Sequence, residues 1–383
     1  MSIVKRALGY IEERKKKLES GGINSIPTPF KRFSSDYVGV EQSTYYIVTA
    51  KTKVGKTQIA SYMFLYNPIL YAFYNPDKIR VKIHYYSLEE EPIRIVHRFM
   101  SYLLYLFYKI EISPRDLRST TNNPLPQDIL DKLNLDPIKE ILDFFDNVVV
   151  FSEERNPTGI RNEILKYLDT VGTTHKIPKK YKDEFGNIQE IMGFGHYEQN
   201  DPNLYNIFCI DHISLCQNER GYTKKETIDK LSEYFVDLRN RYGIIPVVIQ
   251  QQASNTSAEN IKSDLVRPTE DNLSDSKYTA KDASMLLGLF SPFAYKIDNY
   301  LGYDITLFKD EIRFLEVLLS RDGSKSGMIA LRFKGASCHF EELPLPGTPE
   351  LETIYQELRA KQLEKRKKSS ISFLTFIKNK FNG

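Results

Sequence analysis

The chain has 383 residues with 41% hydrophobic content, enough for one large α/β domain or two smaller ones, and its net charge of +3 is too small to argue for nucleic-acid binding by itself. Three cysteines (Cys209, Cys216, Cys338) are odd in number and lack metal spacing, which argues against a disulfide framework and points to a reducing, cytoplasmic compartment. The six histidines are scattered with none paired to a cysteine or carboxylate in a zinc pattern, no signal peptide opens the chain, and apolar stretches such as Phe99–Tyr108 are too short to span a bilayer.

Residues Ile3–Leu18 read as an amphipathic helix. Val4, Ala7, Leu8, Ile11 and Leu18 form an apolar stripe opposite Glu12, Arg14 and Lys15, and Ser20-Gly21-Gly22 stops it. A lone helix of this length is marginal in water, so it is expected to fold back on its own domain or dock on another subunit. Strands are then expected at Tyr45–Thr49, Val81–Ser87, Asn147–Phe151, Ile207–Ile210, Ile245–Ile249, Met285–Phe290, Arg313–Leu319 and Met328–Phe333. Helices fit between them at Thr57–Tyr66, Pro92–Tyr108, Gln127–Phe145, Thr158–Val171 and Lys224–Tyr242. Such alternation predicts an α/β fold: a mostly parallel central sheet with helices on both faces. The last three strands lie close together, which predicts an antiparallel C-terminal edge.

Residues Gly172–Asn203 interrupt the alternation. Lys176, Lys179, Lys180 and Lys182 precede Gly186-Asn187, which lies between two alternating runs, so an inserted β-hairpin is expected. It is either a solvated excursion or a contact for nucleic acid or a partner. Pro344-Leu-Pro346-Gly347 closes the domain, and a charged helix follows from Pro349 to about Lys368. Ile371, Phe373, Leu374, Phe376, Ile377 and Phe381 then make an amphipathic tail, read as a partner peptide, a membrane-surface helix or a helix packed on the core.

The chemistry begins at Ala50-Lys51-Thr52-Lys53-Val54-Gly55-Lys56-Thr57, which follows a β-type run and opens a helical pattern. Strand, loop ending in Gly-Lys-Thr, then helix is the layout of a phosphate-binding P-loop. Backbone N–H groups and the helix N-terminus surround phosphate, Lys56 reaches the β- and γ-phosphates, and the Thr57 hydroxyl holds Mg²⁺. Ala50 stands where the motif has its first glycine, which is tolerable only at negative φ. Asp211 ends the apolar run Ile207–Ile210, at the strand edge where open α/β sheets bind ligands, and is a candidate Mg²⁺ partner. Glu89 follows the strand ending at Ser87 and is placed to activate water, whereas Glu90 and Glu91 read as helix N-terminal acids before Pro92. A third strand ends in Gln250-Gln251-Gln252, one of which is suited to sensing the γ-phosphate or the attacking water.

In order and wording these segments resemble the C-terminal, RecA-like ATPase domain of DnaB-type replicative helicases over roughly Ile3 to Leu343. Gly22–Phe30 resembles the family's entry segment, Ala50–Thr57 its P-loop, Tyr86-Ser87-Leu88-Glu89 its second motif, Ile210–Leu215 its Walker B strand and Pro246–Gln252 its glutamine strand. Arg267-Pro268, Asp271-Asn272-Leu273, Ser276 and Lys281-Asp282-Ala283 are similar to the run that follows, and Ser320-Arg321-Asp322-Gly323 resembles its finger-bearing hairpin. The resemblance implies a Mg²⁺-dependent ATPase coupled to DNA unwinding in replication, assembled as a homo-oligomeric, hexameric ring on single-stranded DNA, with a primase or helicase loader as partner. It implies Glu89 as catalytic base, Gln252 as sensor, Asp211 with the P-loop at the nucleotide, and Arg321 as a finger entering the neighbour's site. Arg220, Lys224, Lys225 and Lys262, near the loops after Asp211 and Gln252, are the expected DNA phosphate contacts.

The chain then divides into a linker or docking helix (1–24), a RecA-like domain (25–345) with its lysine-bearing insertion (172–203), and a charged helix with amphipathic tail (346–383). Leu319 stands where the family usually has lysine, the segment Ala253–Lys262 lacks the family's arginine, and the insertion lies outside its pattern. The short architecture fits a phage or mobile-element version acting in the host cytoplasm. The alternatives are a non-unwinding regulatory or loading ATPase of the same fold, and a phage protein that keeps the fold without turnover.

Overall fold

Tyr46–Ala50 is buried at every position, and alternate residues along it serve different cores. Tyr46, Val48 and Ala50 join a large core with Ile59, Met63, Phe99 and Phe145, whereas Ile47 joins a second core with Ile160, Ile164, Leu231 and Phe235. A strand covered on both faces needs apolar residues throughout, which is why its sequence is a run and not an alternation.

A computed structural model describes residues 2–120, 123–182, 184–253, 266–321, 323 and 327–364. Among these, a nine-stranded sheet runs in the order His339–Glu342, Met328–Lys334, Ile312–Ser320, Met285–Phe290, Tyr46–Ala50, Ile245–Gln251, Leu204–Asp211, Arg80–Ser87, Val149–Ser152. The strands from Met285–Phe290 to Val149–Ser152 are parallel, and the remaining three are antiparallel. Helices Lys56–Ser61, Pro92–Tyr108 and Ile138–Val148 cover the first core, and Pro157–Val171 with Lys224–Tyr242 cover the second.

Several expected boundaries move. Met285–Phe290 pairs parallel with Tyr46–Ala50, so the reversal starts one strand later than its spacing suggests. The edge strand His339–Glu342 was too short to read from its sequence. Helix Gln127–Phe145 is two helices, Gln127–Leu133 and Ile138–Val148, because Pro137 lacks the N–H that would continue the ladder. The helix after the P-loop continues past Tyr66 to Tyr74 despite Pro68. One wide turn over Tyr62–Tyr66, in which the Asn67 N–H donates to the Tyr62 carbonyl, resets the ladder just before the proline.

Helix Ile3–Glu19 buries no residue, and Ile3, Val4, Leu8 and Ile11 are all exposed. Arg14 ties it to the body by an ion pair with Glu41 at 2.6 Å, and its carbonyl accepts from Asn24 at 3.1 Å. A cleft of about 840 Å³, lined by Arg6, Tyr10, Lys17, Tyr197 and Tyr242 among others, opens beside it. The apolar stripe therefore does not fold back on its own domain.

Gly172–Lys182 and Ile188–Gln199 form an antiparallel hairpin, with Gly186 at φ +84° in its turn. Its root is held by the Tyr197 hydroxyl, which donates to the Leu168 carbonyl at 2.9 Å. The helix of residues 349–364 packs Leu351 and Leu358 into a third core with Phe308 and Phe314. The basic run Lys365–Lys368, the amphipathic tail and Lys262 lie outside the described residues. No helix among the described residues is long and apolar enough to cross a membrane.

Candidate active site

Ala50 ends its strand in extended conformation, so this position makes no demand for glycine. The left-handed demand falls on Lys53 at φ +65° and Gly55 at φ +107°. A Cβ on Gly55 would meet nothing closer than 3.7 Å, so the backbone conformation, not space, selects glycine there. Gly55 caps the helix that starts at Lys56, and the first N–H groups of that helix have no intrahelical partner. The loop is pinned from below by Arg313. This guanidinium is 1% exposed, donates through Nε to the Val54 carbonyl at 2.6 Å and to Asp310 at 2.9 Å, and lies over the Phe333 ring. Sequence reading placed Arg313 in a strand and gave it no role. An arginine inside an apolar run was the available signal, because a buried guanidinium needs acceptors.

Lys56, Thr57 and Asp211 come together at the C-terminal edge of the parallel strands. The Thr57 hydroxyl donates to Asp211 Oδ1 at 3.2 Å, and the Tyr85 hydroxyl donates to Oδ2 at 3.0 Å. Asp211 is buried, and burial pushes its carboxyl from 3.8 up to about 6; the Tyr85 hydrogen bond and Lys56 pull the other way. Glu89 sits beside it, since the N–H groups of Leu88 and Glu89 both donate to the Asp211 carbonyl, at 2.8 and 3.3 Å. The Glu89 side chain is 46% exposed, with its carboxylate 3.7 Å from His212 Nε2. Burial and the nearby Lys56 hold the His212 imidazole below its ordinary value. Glu90 is engaged by Arg98, and Glu91 precedes Pro92 at the helix start with Arg94 at 3.8 Å. Tyr85 and His212 were missed in the sequence. Tyr85 shares a strand face with Ser87, whose register partner is Asp211, so period-2 alternation was the usable signal.

The three glutamines are placed differently from one another. Gln252 is 2% exposed, donating to Thr49 Oγ1 at 3.1 Å and to the Thr269 carbonyl at 3.0 Å, while its Oε1 accepts from the Thr269 N–H. Both ends of its amide are thus taken up inside the protein. Gln251 is the one that touches the loop, donating to the Thr52 hydroxyl at 2.7 Å. Gln250 donates to the carbonyls of Ser274 and Ser276.

Arg321 is not near its own loop. Ser320 pairs with Met285 and Met285 with Tyr46, at the opposite end of the strand from Ala50. That strand length is about 13 Å, at about 3.3 Å per residue. Arg321 is exposed, with Nε donating to the Ala283 carbonyl at 2.9 Å. Leu319 packs on the second core. Arg220 and Lys225 are exposed on the segment after Asp211, Lys225 lying over the Tyr278 ring, while Lys224 is half-buried and donates to the Cys216 carbonyl.

The solved ATPase domain of a helicase matches 90% of this chain and 100% of its own at a TM-score of 0.62 and 14% identity. A DnaB-like replicative helicase, described with its interactions with primase, matches 90% of this chain and 67% of its own at a TM-score of 0.60 and 14% identity. The fold is of the DnaB type. No family model and no curated protein matches the sequence. At such low identity the DnaB-type fold is carried by strand order and burial, not by shared residues.

The buried charges of this DnaB-type fold lend themselves to measurement. Arg313→Lys removes the fork that reaches Val54 and Asp310 together, and should lower stability by about 1–3 kcal/mol in chemical denaturation while weakening nucleotide-analogue binding. For Asp211, the folded chain holds its proton more tightly than the unfolded chain, so stability contributed by this group falls as pH rises from about 4 to about 6. Without nucleotide and Mg²⁺, Asp211→Asn should therefore be more stable at pH 7 by on the order of 1–2 kcal/mol, since one hydroxyl donor loses its acceptor. Denaturation repeated below about pH 4, where the carboxyl is protonated in both states, should show no such gain.

Proposed function

We propose that the chain is a Mg²⁺-ATP-dependent motor of the helicase type that moves on single-stranded DNA as a ring, with each nucleotide between two copies. The observation that carries this reading is the division of charges between the two ends of the sheet: Lys56, Thr57, Asp211 and Glu89 at one end, Arg321 at the other. A single copy is then incomplete, and a ring of copies brings one end against the next.

The residues fit a hard cation. Thr57 and Asp211 offer a hydroxyl and a carboxylate oxygen side by side, and the carboxylate is desolvated by more than Lys56 offsets. Bound Mg²⁺-ATP supplies the electrophilic phosphoryl group and neutralises part of its charge. Lys56 and the first N–H groups of its helix hold the phosphates. Glu89 orients and deprotonates the attacking water, its exposed carboxylate facing the same cleft as Asp211. Gln251, through Thr52, and Gln252, through Thr49, register the state of the loop from behind. Arg321 from the adjacent copy stabilises the charge that develops in transfer, and with Leu319 turned to the core it does so without the family's second cation at that position. Arg220 and Lys225 are the exposed cations offered to DNA by the loop after Asp211, and the exposed stripe of helix Ile3–Glu19 docks on a neighbouring copy.

ATP turnover with and without single-stranded DNA tests the reading: a motor is strongly stimulated, a regulatory switch weakly, and a fold without turnover gives no signal. Lys56→Ala should abolish hydrolysis and leave the fold intact. Near-normal turnover would mean that Ala50–Thr57 is not the nucleotide loop.

Arg321→Ala should bind ATP normally and hydrolyse it roughly a thousandfold more slowly or worse. As a plain surface charge it would change stability within about 0.5 kcal/mol and turnover little. Mixing it with Lys56→Ala protein should restore activity at some interfaces, each variant supplying what the other lacks. Full activity of Arg321→Ala alone would remove the inter-subunit mechanism.

A further inference from the structure

The inserted hairpin assembles a donor set that no spacing in the sequence discloses. His175 and His196 are cross-strand partners, and their rings lie parallel with centroids 4.4 Å apart and 7° between planes. Glu198, two residues beyond His196 on the same strand, brings its carboxylate to 3.1 Å from His175 Nε2. One nitrogen from each imidazole and one carboxylate oxygen all lie within 4.8 Å of one another.

The hairpin's local geometry explains the grouping. The register shifts at this point: His196 faces His175 and Phe194 faces Lys176, which leaves Gly195 as the extra residue of a bulge. Phe194 and Tyr197 both pack on Tyr242, at 5.4 and 5.1 Å between centroids, and fix the root of the hairpin against the helix Lys224–Tyr242. His175, His196 and Glu198 take no part in that packing and remain open to solvent, half-buried at most. Two imidazoles in parallel contact repel when both are charged. As neutral rings they present two lone pairs beside a carboxylate, and a cation between them relieves the crowding.

We propose that His175, His196 and Glu198 form a site for a borderline divalent transition-metal ion, Zn²⁺, which pins the two strands of the hairpin near its root. Two imidazole nitrogens and one carboxylate oxygen suit Zn²⁺ and do not suit Mg²⁺, which takes oxygen ligands, so the site is chemically distinct from that of Thr57 and Asp211. A tetrahedral site with ligand bonds of about 2.0–2.1 Å has edges of about 3.3 Å. The His175–Glu198 edge is already 3.1 Å, and the others close by rotation of exposed side chains. A water molecule completes the coordination. Cys209, Cys216 and Cys338 are all buried, so thiols do not compete for the ion in the folded chain.

The test uses the full chain, stripped by chelator and free of nucleotide and Mg²⁺. Titration calorimetry with Zn²⁺ should give one saturable site per chain, and Co²⁺ in its place should give the visible absorption of a low-coordinate nitrogen–oxygen site. His175→Ala and His196→Ala should each weaken Zn²⁺ binding by at least about tenfold, the smallest effect expected for a group that supports a metal. Lys179→Ala, on the same hairpin, should leave it unchanged, and circular dichroism of each variant verifies the fold. DNA-stimulated ATP turnover measured in Mg²⁺ should survive in the histidine variants, which separates failure of this site from failure of the nucleotide site. Absence of Zn²⁺ binding to the wild-type chain, or binding that persists unchanged in the doubly substituted chain, overturns the proposal.

Discussion

The contact between the Thr57 hydroxyl and the Asp211 carboxylate, at 3.2 Å, is the point on which the structure turns. Their strands are not neighbours: Tyr46–Ala50 and Leu204–Asp211 both flank Ile245–Gln251. The contact therefore exists only if three parallel strands are in register, and that register depends on continuous apolar burial along all of them. Asp211 is held at a cost, because burial disfavours its charge more than Tyr85, Thr57 and Lys56 together favour it. A site with an uncompensated carboxylate is tuned for a cation that arrives with its ligand, and its resting instability is part of that tuning.

Arg313 meets the same constraint from the opposite sign. Its guanidinium is buried and its pKa is lowered by that burial, yet its carboxylate partner Asp310 is largely exposed, so the ion pair contributes little. What holds it is hydrogen bonding to the backbone carbonyls of Val54, Asp310 and Ile312 and stacking over Phe333. The phosphate loop thus rests on a cation from the antiparallel edge, which gives that edge a structural reason to exist beyond carrying Arg321.

What was legible in the sequence was local or periodic. Ala50–Thr57 announces itself because strand, loop and helix are contiguous, and Asp211 and Glu89 stand out because each ends an apolar run. What was hidden depends on long-range register. The contact of Gln251 with Thr52 and the meeting of His175, His196 and Glu198 require knowing which residues face each other across strands. Six histidines scattered in sequence read as unrelated, although two of them share one rung of a ladder. Pro68 and Pro137 show the other limit. The same residue type is absorbed by a wide turn in one helix and ends another, and only the surrounding backbone distinguishes the cases.

The two ends of the sheet are also connected within one copy. Gln252 joins the loop strand to Thr269, and Gln250 reaches Ser274, Ser276 and, by accepting from its hydroxyl, Thr279. Thr279 belongs to the helix Tyr278–Asp282, and the carbonyls of Ala283 and Ser284 immediately after it accept from the side chain and backbone of Arg321. Ser232 and Arg239, on the helix Lys224–Tyr242, brace the same turn through Asp282 and Ser284. These bonds are buried or half-buried and share partners, so they cannot lengthen one at a time without leaving polar groups unpaired. Any signal that passes from the loop to Arg321 along this route must switch the set as a whole, which favours two discrete positions of the arginine over a graded displacement.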